Sequence, residues 1–303
     1  MNILVLGGTT FFGKRLVHKL VGLGHDVTVA TRGQSANDLG NRVTRITVDR
    51  TNPITLMRSF GEASYDIVYD QICFNPQEAK AAVDVFGDRV KRYILTSTMA
   101  VYSGKEDIAR EADFDPGTHP IDLEWETYSY AEGKRQAEAY FFQHAPFPVV
   151  AVRVAMVVSG DDDYTGRFDF HVTHVMKDRS VGVPSQPHPI AFVTARDTAD
   201  FLRFIGVDST YEGPINAANG GWFSTGDILN IIGRHVGRQP AFHVSDTPRQ
   251  DTDYSPYAFP VPLRASNELA RSIGYAFPEF EPAMAHMIDQ VVTRLKLSDN
   301  RTH

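Results

Sequence analysis

The stretch Ile3-Leu4-Val5-Leu6-Gly7-Gly8-Thr9-Thr10-Phe11-Phe12-Gly13 decides how the rest of the chain is organised. Its first four residues are an unbroken apolar run, which is typical of a strand buried on both faces. Two glycines end that run, and from Phe11 onward apolar residues recur at the spacing of an amphipathic helix. The order of strand, glycine turn and helix predicts the first unit of a dinucleotide-binding α/β fold, because the unpaired N–H groups and partial positive charge of a helix N-terminus attract a pyrophosphate.

The glycine pattern departs from the form G-x-x-G-x-x-G at its middle position. The first and third glycines are Gly7 and Gly13, and Thr10 stands where the middle glycine is expected. A Cβ at Thr10 crowds a phosphate, whereas its hydroxyl offers a hydrogen bond to one. The pattern is therefore compatible both with a nucleotide site and with a tight strand-to-helix turn that binds nothing.

Composition and charge argue against several classes of function. The 303 residues are 42% hydrophobic, carry a formal net charge of −7 and contain no sustained run of lysine and arginine, so we expect neither nucleic acid nor a membrane as partner. The single cysteine, Cys73, leaves no internal disulfide and suits a reducing compartment. The first strand begins at residue 2 or 3 and no apolar stretch is long enough to span a bilayer, so we expect no targeting peptide and a cytoplasmic protein.

Apolar runs alternate with helical patterns through the first half of the chain. Further strands are expected at 25–30, 43–48, 66–70, 92–97 and 148–154. Strands that alternate with helices form parallel βαβ units, so we predict an α/β protein with a doubly wound parallel sheet of the Rossmann type. We expect residues 1–155 to form this domain, together with elements around 190–218, and residues 156–303 to form mainly a smaller C-terminal lobe. Ligands of such sheets bind beyond the carboxyl ends of the strands.

The residues that follow the second and third strands bear on the choice of cofactor. In NAD-binding domains of this type, an acid near the end of the second strand binds the ribose hydroxyls. Here the strand ends in Ala30-Thr31-Arg32-Gly33, and the guanidinium of Arg32 is suited to the 2′-phosphate of NADP. We therefore predict NADP, with NAD as the alternative. Asp49, after the third strand, either bonds the adenine amino group or caps the next turn.

Tyr130 and Lys134 lie four residues apart on a helix predicted over about 129–144, and therefore on one face of it. A free tyrosine has a pKa of about 10, so acting as a base near pH 7 requires a downward shift of about 3 units, or roughly 4 kcal/mol. A neighbouring ammonium and an oxidised nicotinamide, acting in a low dielectric, supply such a shift. Thr98, just beyond the fifth strand, is expected to hold the reacting oxygen while Tyr130 exchanges its proton, and Ser97 is its rival for that role.

Together these motifs resemble the extended or atypical short-chain dehydrogenase/reductases, the NAD-dependent epimerase/dehydratase family. The resemblance covers most of the chain and rests on residues 7–13, 97–102, 130–134 and 192–197. It implies a Rossmann-type NAD(P)-binding fold whose smaller C-terminal lobe binds a small-molecule substrate, usually the nucleotide-sugar part. Such proteins often dimerise through two helices per subunit, so a homodimer through the helix of Tyr130 is an expectation.

Carried over by position, the resemblance implies that Thr98, Tyr130 and Lys134 are the catalytic residues. The cofactor-binding residues, including those argued above, are Gly7, Thr9, Thr10, Phe11, Phe12, Gly13, Arg32, Asp49, Tyr130 and Lys134.

Three further departures from the family pattern matter. The fourth strand ends in Asp70-Gln71-Ile72-Cys73 instead of small residues, a change at the place where the nicotinamide ribose is held. Arg153-Val154 stands where Arg-Pro is commoner. Met99-Ala100 replaces the Asp-Glu pair with which related dehydratases eliminate water, which leaves epimerisation or carbonyl reduction.

Several residues outside these motifs are weaker candidates for a site. Arg167, in a glycine-containing loop, suits a substrate phosphate, although an ordinary surface arginine explains it equally well. The consecutive acids at 161–163 lack the alternating spacing of a calcium loop, and His171 with His174 has no third ligand in register, so we predict no metal site. Trp222-Phe223 is expected in the core, with stacking on a sugar or base as the alternative.

The predicted function is that of an NAD(P)-dependent epimerase or reductase that moves a hydride between nicotinamide and a carbinol or carbonyl carbon. A nucleotide sugar is the substrate that the resemblance implies, and a reductase of a non-sugar carbonyl is the second enzymatic alternative. An alternative from another class is a non-catalytic nucleotide sensor or RNA-associated protein on the same fold. The altered glycine motif permits it, and the intact Tyr130 and Lys134 oppose it.

Overall fold

The computed structural model describes residues 1–34, 39–245 and 252–299. Within these ranges the strands are β1 (Asn2–Leu6), β2 (Asp26–Thr31), β3 (Val43–Thr47), β4 (Ile67–Asp70), β5 (Tyr93–Thr98), β6 (Val149–Val154), β7 (Met156–Val158), β8 (Ser180–Val183), β9 (Ile190–Thr194), β10 (Gly213–Ala217), β11 (Trp222–Phe223) and β12 (Ala241–Val244). The helices are α1 (Phe11–Gly22), α2 (Pro53–Phe60), α3 (Pro76–Phe86), α4 (Tyr130–His144), α5 (Arg167–Met176), α6 (Ala195–Arg203), α7 (Thr225–Val236), α8 (Glu268–Ser272) and α9 (Phe280–Asp299). Shorter helical turns are Gly87–Arg89, Met99–Tyr102, Glu111–Asp113 and Phe204–Asp208.

The central element is a parallel sheet of seven of these strands, in the order β10-β6-β5-β4-β1-β2-β3. From β1 the chain builds outward to β2 and β3, then returns to β4 on the other side and continues to β5 and β6. The order therefore reverses between β1 and β4, and a crevice for ligands opens at such a switch point. The predicted doubly wound parallel sheet is confirmed.

Helices cover both faces of the sheet, which explains why β1 is apolar without alternation. Its residues 3–6 have no exposed surface. On one face α1 packs against α6, with Leu16, Val17 and Phe201 in the core, and on the other face α3 packs between α2 and α4. None of the helices in the described ranges combines the length and apolar character that a bilayer-spanning segment needs.

A smaller lobe follows β6. It contains a sheet in the order β11-β9-β7 and a pair of parallel strands, β8 and β12, which pack with α5, α7 and α9 around a separate core. The segment 190–218 is shared, because β9 belongs to this lobe whereas β10 joins the central sheet and α6 packs on α1. A domain boundary at residue 155 stays a prediction.

One buried ion pair fastens the long loop 103–127 to the sheet. Arg153 on β6 is fully buried, and its guanidinium binds the carboxylate of Glu138 on α4, with Nη2 2.7 Å from Oε2. The same guanidinium donates to the main-chain oxygens of Glu111 at 2.9 Å and Phe114 at 3.0 Å. A loop of this length is held in place because its carbonyl groups accept hydrogen bonds from a buried charge.

Removing Arg153 should therefore destabilise the fold strongly. The variant Arg153→Met keeps an apolar stem of similar length but leaves Glu138 buried without its partner, and we expect the free energy of unfolding in urea to fall by about 3–5 kcal/mol. The matched control is Arg234→Met, since Arg234 pairs with Glu281 where both side chains are exposed. That variant should lose less than about 1 kcal/mol. Equal losses in the two variants would contradict the structural role of Arg153.

A neutral histidine fastens α5 to the segment that precedes α8. His171 is fully buried; its Nδ1–H donates to the Arg167 carbonyl at 2.7 Å, and its Nε2 accepts from Ser255 Oγ at 2.8 Å. The ring stacks on Tyr257 with centroids 4.4 Å apart. Burial lowers the pKa of His171 to about 3, against which the bond to the Arg167 carbonyl acts more weakly. The folded protein therefore keeps this imidazole uncharged.

Stability should depend on pH through His171. Below pH about 6.5 the imidazole is protonated in the unfolded chain but stays neutral in the folded chain, which favours unfolding. The free energy of unfolding is therefore unaffected by His171 above that pH and decreases as pH falls from about 6.5 toward 3. Between pH 7 and pH 5, wild type should lose about 2 kcal/mol more than His171→Gln, whose amide does not titrate. Urea unfolding at both pH values measures this difference. The exposed His286 on α9 is the control, and His286→Gln should keep the wild-type dependence on pH.

Candidate active site

Two adjoining cavities lie beyond the carboxyl ends of the central strands. The first, of about 410 Å³, is lined by the glycine turn after β1, by Arg32 and by Asp49. The second, of about 490 Å³, is lined by Thr98, Tyr130 and Lys134. They have five lining residues in common: Phe11, Phe12, Gln71, Phe74 and Tyr164. We call the first the cofactor half and the second the substrate half of one continuous cleft, after the ligands that the sequence predicts for them.

The backbone of the glycine turn explains why a threonine is tolerated at its middle position. Gly7 and Gly8 have φ of +97° and +87°, a region that side chains disfavour, and a Cβ at Gly8 would lie 2.8 Å from Val5 Cγ1. Thr10 has an extended φ of −138° and is exposed at the start of α1. Phe11, which follows Thr10, is the residue other than glycine in this turn with a positive φ, at +53°. Thr10 therefore leaves the turn intact and places its hydroxyl at the cleft.

The last glycine of the motif makes room for a side chain from β4. A Cβ at Gly13 would overlap the amide oxygen of Gln71, the residue that follows β4. The Gln71 Nε2 group is buried, and it has no hydrogen-bond partner among the described residues. A buried donor without an acceptor is costly, and it is explained where a bound group supplies the acceptor. The cleft therefore fits a polar ligand such as a dinucleotide between the glycine turn and the end of β4.

Arg32 and Asp49 both lie in the cofactor half. The carboxylate of Asp49 accepts hydrogen bonds from Thr51 Oγ1 at 2.7 Å and Thr51 N at 3.0 Å, so Asp49 caps the turn before α2. These bonds, and more weakly the charge of Arg32, hold the pKa of Asp49 below its ordinary value. Of the two roles predicted for Asp49 the structure shows the cap, and a contact with adenine stays a prediction.

Lys134 is the buried cation of the substrate half. Its side chain is 2% exposed, its Nζ donates to the Thr96 carbonyl at 2.8 Å, and the ring centroid of Phe74 lies 4.7 Å from the same atom. Burial lowers the pKa of Lys134, and the surrounding acidic groups, Cys73, Asp70, Glu138 and Glu78, act in the opposite direction. The ammonium is thus held at the end of β5 by a carbonyl and an aromatic face.

Tyr130 is the first residue of α4 and its side chain is 57% exposed toward the substrate half. Its surroundings raise the pKa of Tyr130 by desolvation, while the hydroxyl of Thr98 and the charge of Arg167 lower it. The phenol is therefore protonated at neutral pH in this structure. Any role as a base requires additional positive charge in the cleft.

The two hydroxyl candidates at the end of β5 have different partners. Ser97 Oγ binds the buried carboxylate of Glu138. Thr98 Oγ1 accepts from the main-chain N of Ala100 at 3.2 Å, and this capping bond leaves its proton available. The structure therefore favours Thr98 over Ser97 for contact with a substrate oxygen.

A buried network that the sequence analysis missed fixes the end of β4. The carboxylate of Asp70 accepts from Tyr93 Oη at 2.7 Å, from the guanidinium of Arg50 and from the main-chain N of Ile72 at 3.1 Å. Asp70 is fully buried and Arg50 is 3% exposed. The sequence signal was an acid after an apolar run, but its partner Arg50 lies twenty residues away. The network sets the course of the chain through Gln71.

Two acids of the stretch 161–163 form ion pairs with an arginine side chain of α1. Arg15 on α1 contacts Asp161 at 2.5 Å through Nη2 and Asp162 at 3.1 Å through Nε. Tyr164 follows, 76% exposed, and the edge of its ring meets Phe11 with centroids 5.7 Å apart. The described residues contain no group of three side chains arranged as metal ligands.

The other candidates are distributed as follows. Arg167 is exposed and lines the substrate half, with Nη1 3.1 Å from Met156 Sδ. His171 and His174 bind main-chain and side-chain groups of the lobe and do not line the cleft. Of the Trp222-Phe223 pair, Phe223 is half-buried against the lobe core, as expected. Trp222 is 39% exposed, and its Nε1 donates to the Ala265 carbonyl at 3.2 Å, so the expectation of a core position is wrong for Trp222.

Comparison with known proteins places this cleft in a family. The model of the family described as "NAD dependent epimerase/dehydratase family" matches residues 3–199. The chloroplast stem-loop binding protein of 41 kDa b of Arabidopsis thaliana is 30% identical over 151 residues, which are 44% of this chain and 39% of that protein. The chain thus matches well under half the length of this curated relative.

Solved structures share the fold over nearly the whole chain. UDP-glucose 4-epimerase of Thermus thermophilus, in complex with NAD, is 18% identical with a TM-score of 0.71, and the match covers 96% of this chain and 99% of that one. UDP-glucose 4-epimerase of Thermotoga maritima, with UDP-glucose, is also 18% identical, with a TM-score of 0.72 and coverage of 97% and 100%. A dTDP-glucose 4,6-dehydratase of Bacillus anthracis is 14% identical, with a TM-score of 0.72 and 97% of each chain covered.

At these identities the structures show a common fold and no more. The family model carries the assignment, because it spans the glycine turn, the end of β5, the helix of Tyr130 and the start of α6. The resemblance noted in the sequence is thereby confirmed. The chain belongs to the NAD dependent epimerase/dehydratase family, whose enzymes are of the short-chain dehydrogenase/reductase type.

Proposed function

We propose that this protein binds NADP(H) and catalyses hydride transfer at a carbinol or carbonyl carbon, as an epimerase or reductase of a nucleotide sugar. The observation that carries the proposal is that Thr98, Tyr130 and Lys134 line one cavity, which is continuous with the glycine turn. A hydroxyl, a phenol and an ammonium beside a dinucleotide-sized cleft are the groups that such chemistry requires.

The residues of the cofactor half would hold the dinucleotide. The start of α1 offers main-chain N–H groups and the hydroxyl of Thr10 to a pyrophosphate, and Gln71 offers its buried amide donor. Arg32 would pair with a 2′-phosphate, which is why we favour NADP over NAD. When bound, the nicotinamide supplies or accepts the hydride.

The remaining steps fall to side chains of the substrate half. Thr98 would donate a hydrogen bond to the substrate oxygen and hold it beside Tyr130. Tyr130 would exchange a proton with that oxygen, as acid in reduction and as base in oxidation. Lys134 would stabilise the phenolate by its charge and orient the nicotinamide ribose. Because desolvation raises the pKa of Tyr130, this charge and that of an oxidised cofactor are both needed.

Two enzymatic substrates are compatible with this scheme. A nucleotide sugar is supported by the family and by neighbours such as the Thermotoga maritima epimerase, whose structure contains UDP-glucose. A non-sugar carbonyl is favoured by the lining of the substrate half, which is mostly apolar: Met99, Val154, Met156, Val157, Ile190, Ala191, Phe259 and Leu263. Product analysis identifies which substrate is converted, and net consumption of the cofactor separates reduction from epimerisation, which consumes none. Met99-Ala100 at the end of β5 disfavours dehydration in either case.

The Arabidopsis relative supports a candidate of another class, since its name describes binding of stem-loops. A net charge of −7 and the retained Tyr130 and Lys134 count against nucleic acid as the main ligand. An RNA binder that contacts several phosphates would lose affinity steeply as salt rises, whereas binding of NADPH would change far less. Pairing of two subunits through α4 likewise stays a prediction.

Replacing Tyr130 by phenylalanine tests the proposed mechanism. Tyr130→Phe removes only the exchangeable proton, so NADPH affinity, measured by its fluorescence, should stay within about twofold of wild type, whereas turnover of a substrate found by screening should fall at least about 100-fold. Tyr140→Phe, on the same helix but outside the cleft, is the matched control and should keep wild-type turnover. Unchanged turnover in Tyr130→Phe would refute the mechanism.

Thermal unfolding with each cofactor tests the assignment of Arg32. A ligand at about 100 times its dissociation constant stabilises the folded state by roughly 2.7 kcal/mol, which raises the unfolding temperature measurably. NADPH should produce the larger shift in wild type, and Arg32→Ser should weaken NADPH binding more than tenfold while sparing NADH. A larger shift with NADH in wild type would overturn the preference for NADP.

A further inference from the structure

We propose that Phe74 is the positioning residue for Lys134: the face of its ring takes the place of a carboxylate as partner of the buried ammonium and covers that ammonium on the side where the two halves of the cleft meet. The inference rests on the proposed role of Lys134 in the reaction. It adds a residue that neither the motifs nor the family pattern identified, and it assigns a purpose to the altered end of β4.

The geometry is that of a cation held against an aromatic face. Lys134 Nζ lies 4.7 Å from the ring centroid of Phe74, within the distance of about 6 Å at which such pairs attract. Its hydrogen bond goes to the Thr96 carbonyl, and within the described part of the chain no carboxylate forms an ion pair with it. Phe74 is 46% exposed whereas Lys134 is 2% exposed, and both residues line the substrate half, so the ring lies over the ammonium at its boundary with the cleft.

The main chain beneath the ring is fixed on both sides. Phe74 N donates to Glu78 Oε2 at 2.6 Å, one turn into α3. On the opposite side, a Cβ at Gly133 would overlap the Phe74 carbonyl oxygen, so the close approach of this segment to α4 depends on the glycine that precedes Lys134. Because the backbone is held, the remaining freedom of Phe74 is rotation of its side chain.

Rotation of the Phe74 side chain would change how far the Lys134 ammonium is exposed to the cleft. Phe74 lines both halves of the cleft, at the place where they meet. With the ring over Nζ, the ammonium faces a carbonyl and an aromatic face; with the ring turned aside, it faces the junction of the two halves. Exposed side chains change rotamer in picoseconds to nanoseconds, so the cover does not by itself limit turnover.

The groups that act on the charge of Lys134 are otherwise unchanged by replacing the ring. Burial lowers the pKa of Lys134, and Cys73, Asp70, Glu138 and Glu78 raise it. These come from β4, the turn after it, α3 and α4, and Asp70 is itself held by Arg50. Phe74→Leu leaves these groups in place and keeps an apolar side chain over the ammonium, so a change in the titration of Lys134 in that variant reports the aromatic face.

The test is competitive labelling of Lys134 with acetic anhydride across pH, read by peptide mass spectrometry in the protein without cofactor. Exposed Lys91 is the internal reference. Phe74→Leu keeps an apolar side chain but removes the aromatic face, and the inflection of Lys134 should move down by about half a pH unit to one and a half units. Phe74→Tyr keeps the face and should restore the wild-type inflection. Phe74→Ala tests the cover separately: the limiting rate of labelling should rise several-fold, because no side chain lies over the ammonium.

The outcomes are separable from those of the proposed function. An unchanged inflection in Phe74→Leu, or a limiting rate in Phe74→Ala equal to that of wild type, would overturn the inference. The predicted changes support it, whether or not NADPH protects Lys134 from labelling. Failure of NADPH to protect Lys134 in wild type and variants alike would count against the proposed cofactor role alone. Circular dichroism and the unfolding temperature of each variant establish that it is folded.

Discussion

The arrangement of the candidate active site depends on one buried carboxylate, that of Glu138. It lies one turn beyond Lys134 on α4, and it binds Ser97 on β5 and Arg153 on β6. A buried charge is stable only where its partners are placed well, so this carboxylate fixes α4 relative to two strands at once. Lys134 and the end of β5 therefore keep their relative positions without direct help from a ligand.

The same interaction explains how a long polar loop can precede the helix of Tyr130. Arg153 also fixes the loop 103–127, because its guanidinium donates hydrogen bonds to the carbonyls of Glu111 and Phe114. On the other side of the site, the buried carboxylate of Asp70 fixes the end of β4, since it accepts hydrogen bonds from Arg50 and Tyr93. Two charged networks, one at β5 and β6 and one at the end of β4, thus fix the strand ends that border the cleft.

The central sheet and the glycine turn could be predicted from sequence because their signals are local. An unbroken apolar run such as residues 3–6 indicates by itself a strand that is buried on both faces. Asn75 before Pro76 is likewise a local signal for the start of a helix. The structure has α3 begin there, and the Asn75 side chain accepts a hydrogen bond from Glu78 N. The short strands β7, β8, β11 and β12 could not be predicted. The last of them is exposed throughout, so it has no alternation of buried and exposed residues to reveal it.

Part of the candidate site could also be predicted, because the spacing of Tyr130 and Lys134 is a local signal. Tyr130 and Lys134 stand one helical turn apart, a relation that spacing reveals. By contrast, the pairing of Asp70 with Arg50 and the approach of Phe74 to Lys134 join residues from different elements, and only the packing of those elements brings them together. Thr10 adds no backbone strain to the turn, since the residues with positive φ are Gly7, Gly8 and Phe11. Crowding of a phosphate by the Cβ of Thr10 stays a prediction.

The attachment of Arg15 to Asp161 and Asp162 links the two ends of the cleft in a further way. Arg15 lies on α1, a little beyond the turn whose N–H groups face the cofactor half, and the acids that it binds precede Tyr164 at the substrate half. If a ligand moved the start of α1, these contacts would transmit the movement to the segment that carries Tyr164. Such coupling is reciprocal by thermodynamic necessity, so each ligand would change the affinity of the other by the same factor. Cooperative binding of two ligands would then depend on two ionic contacts between a helix and a loop.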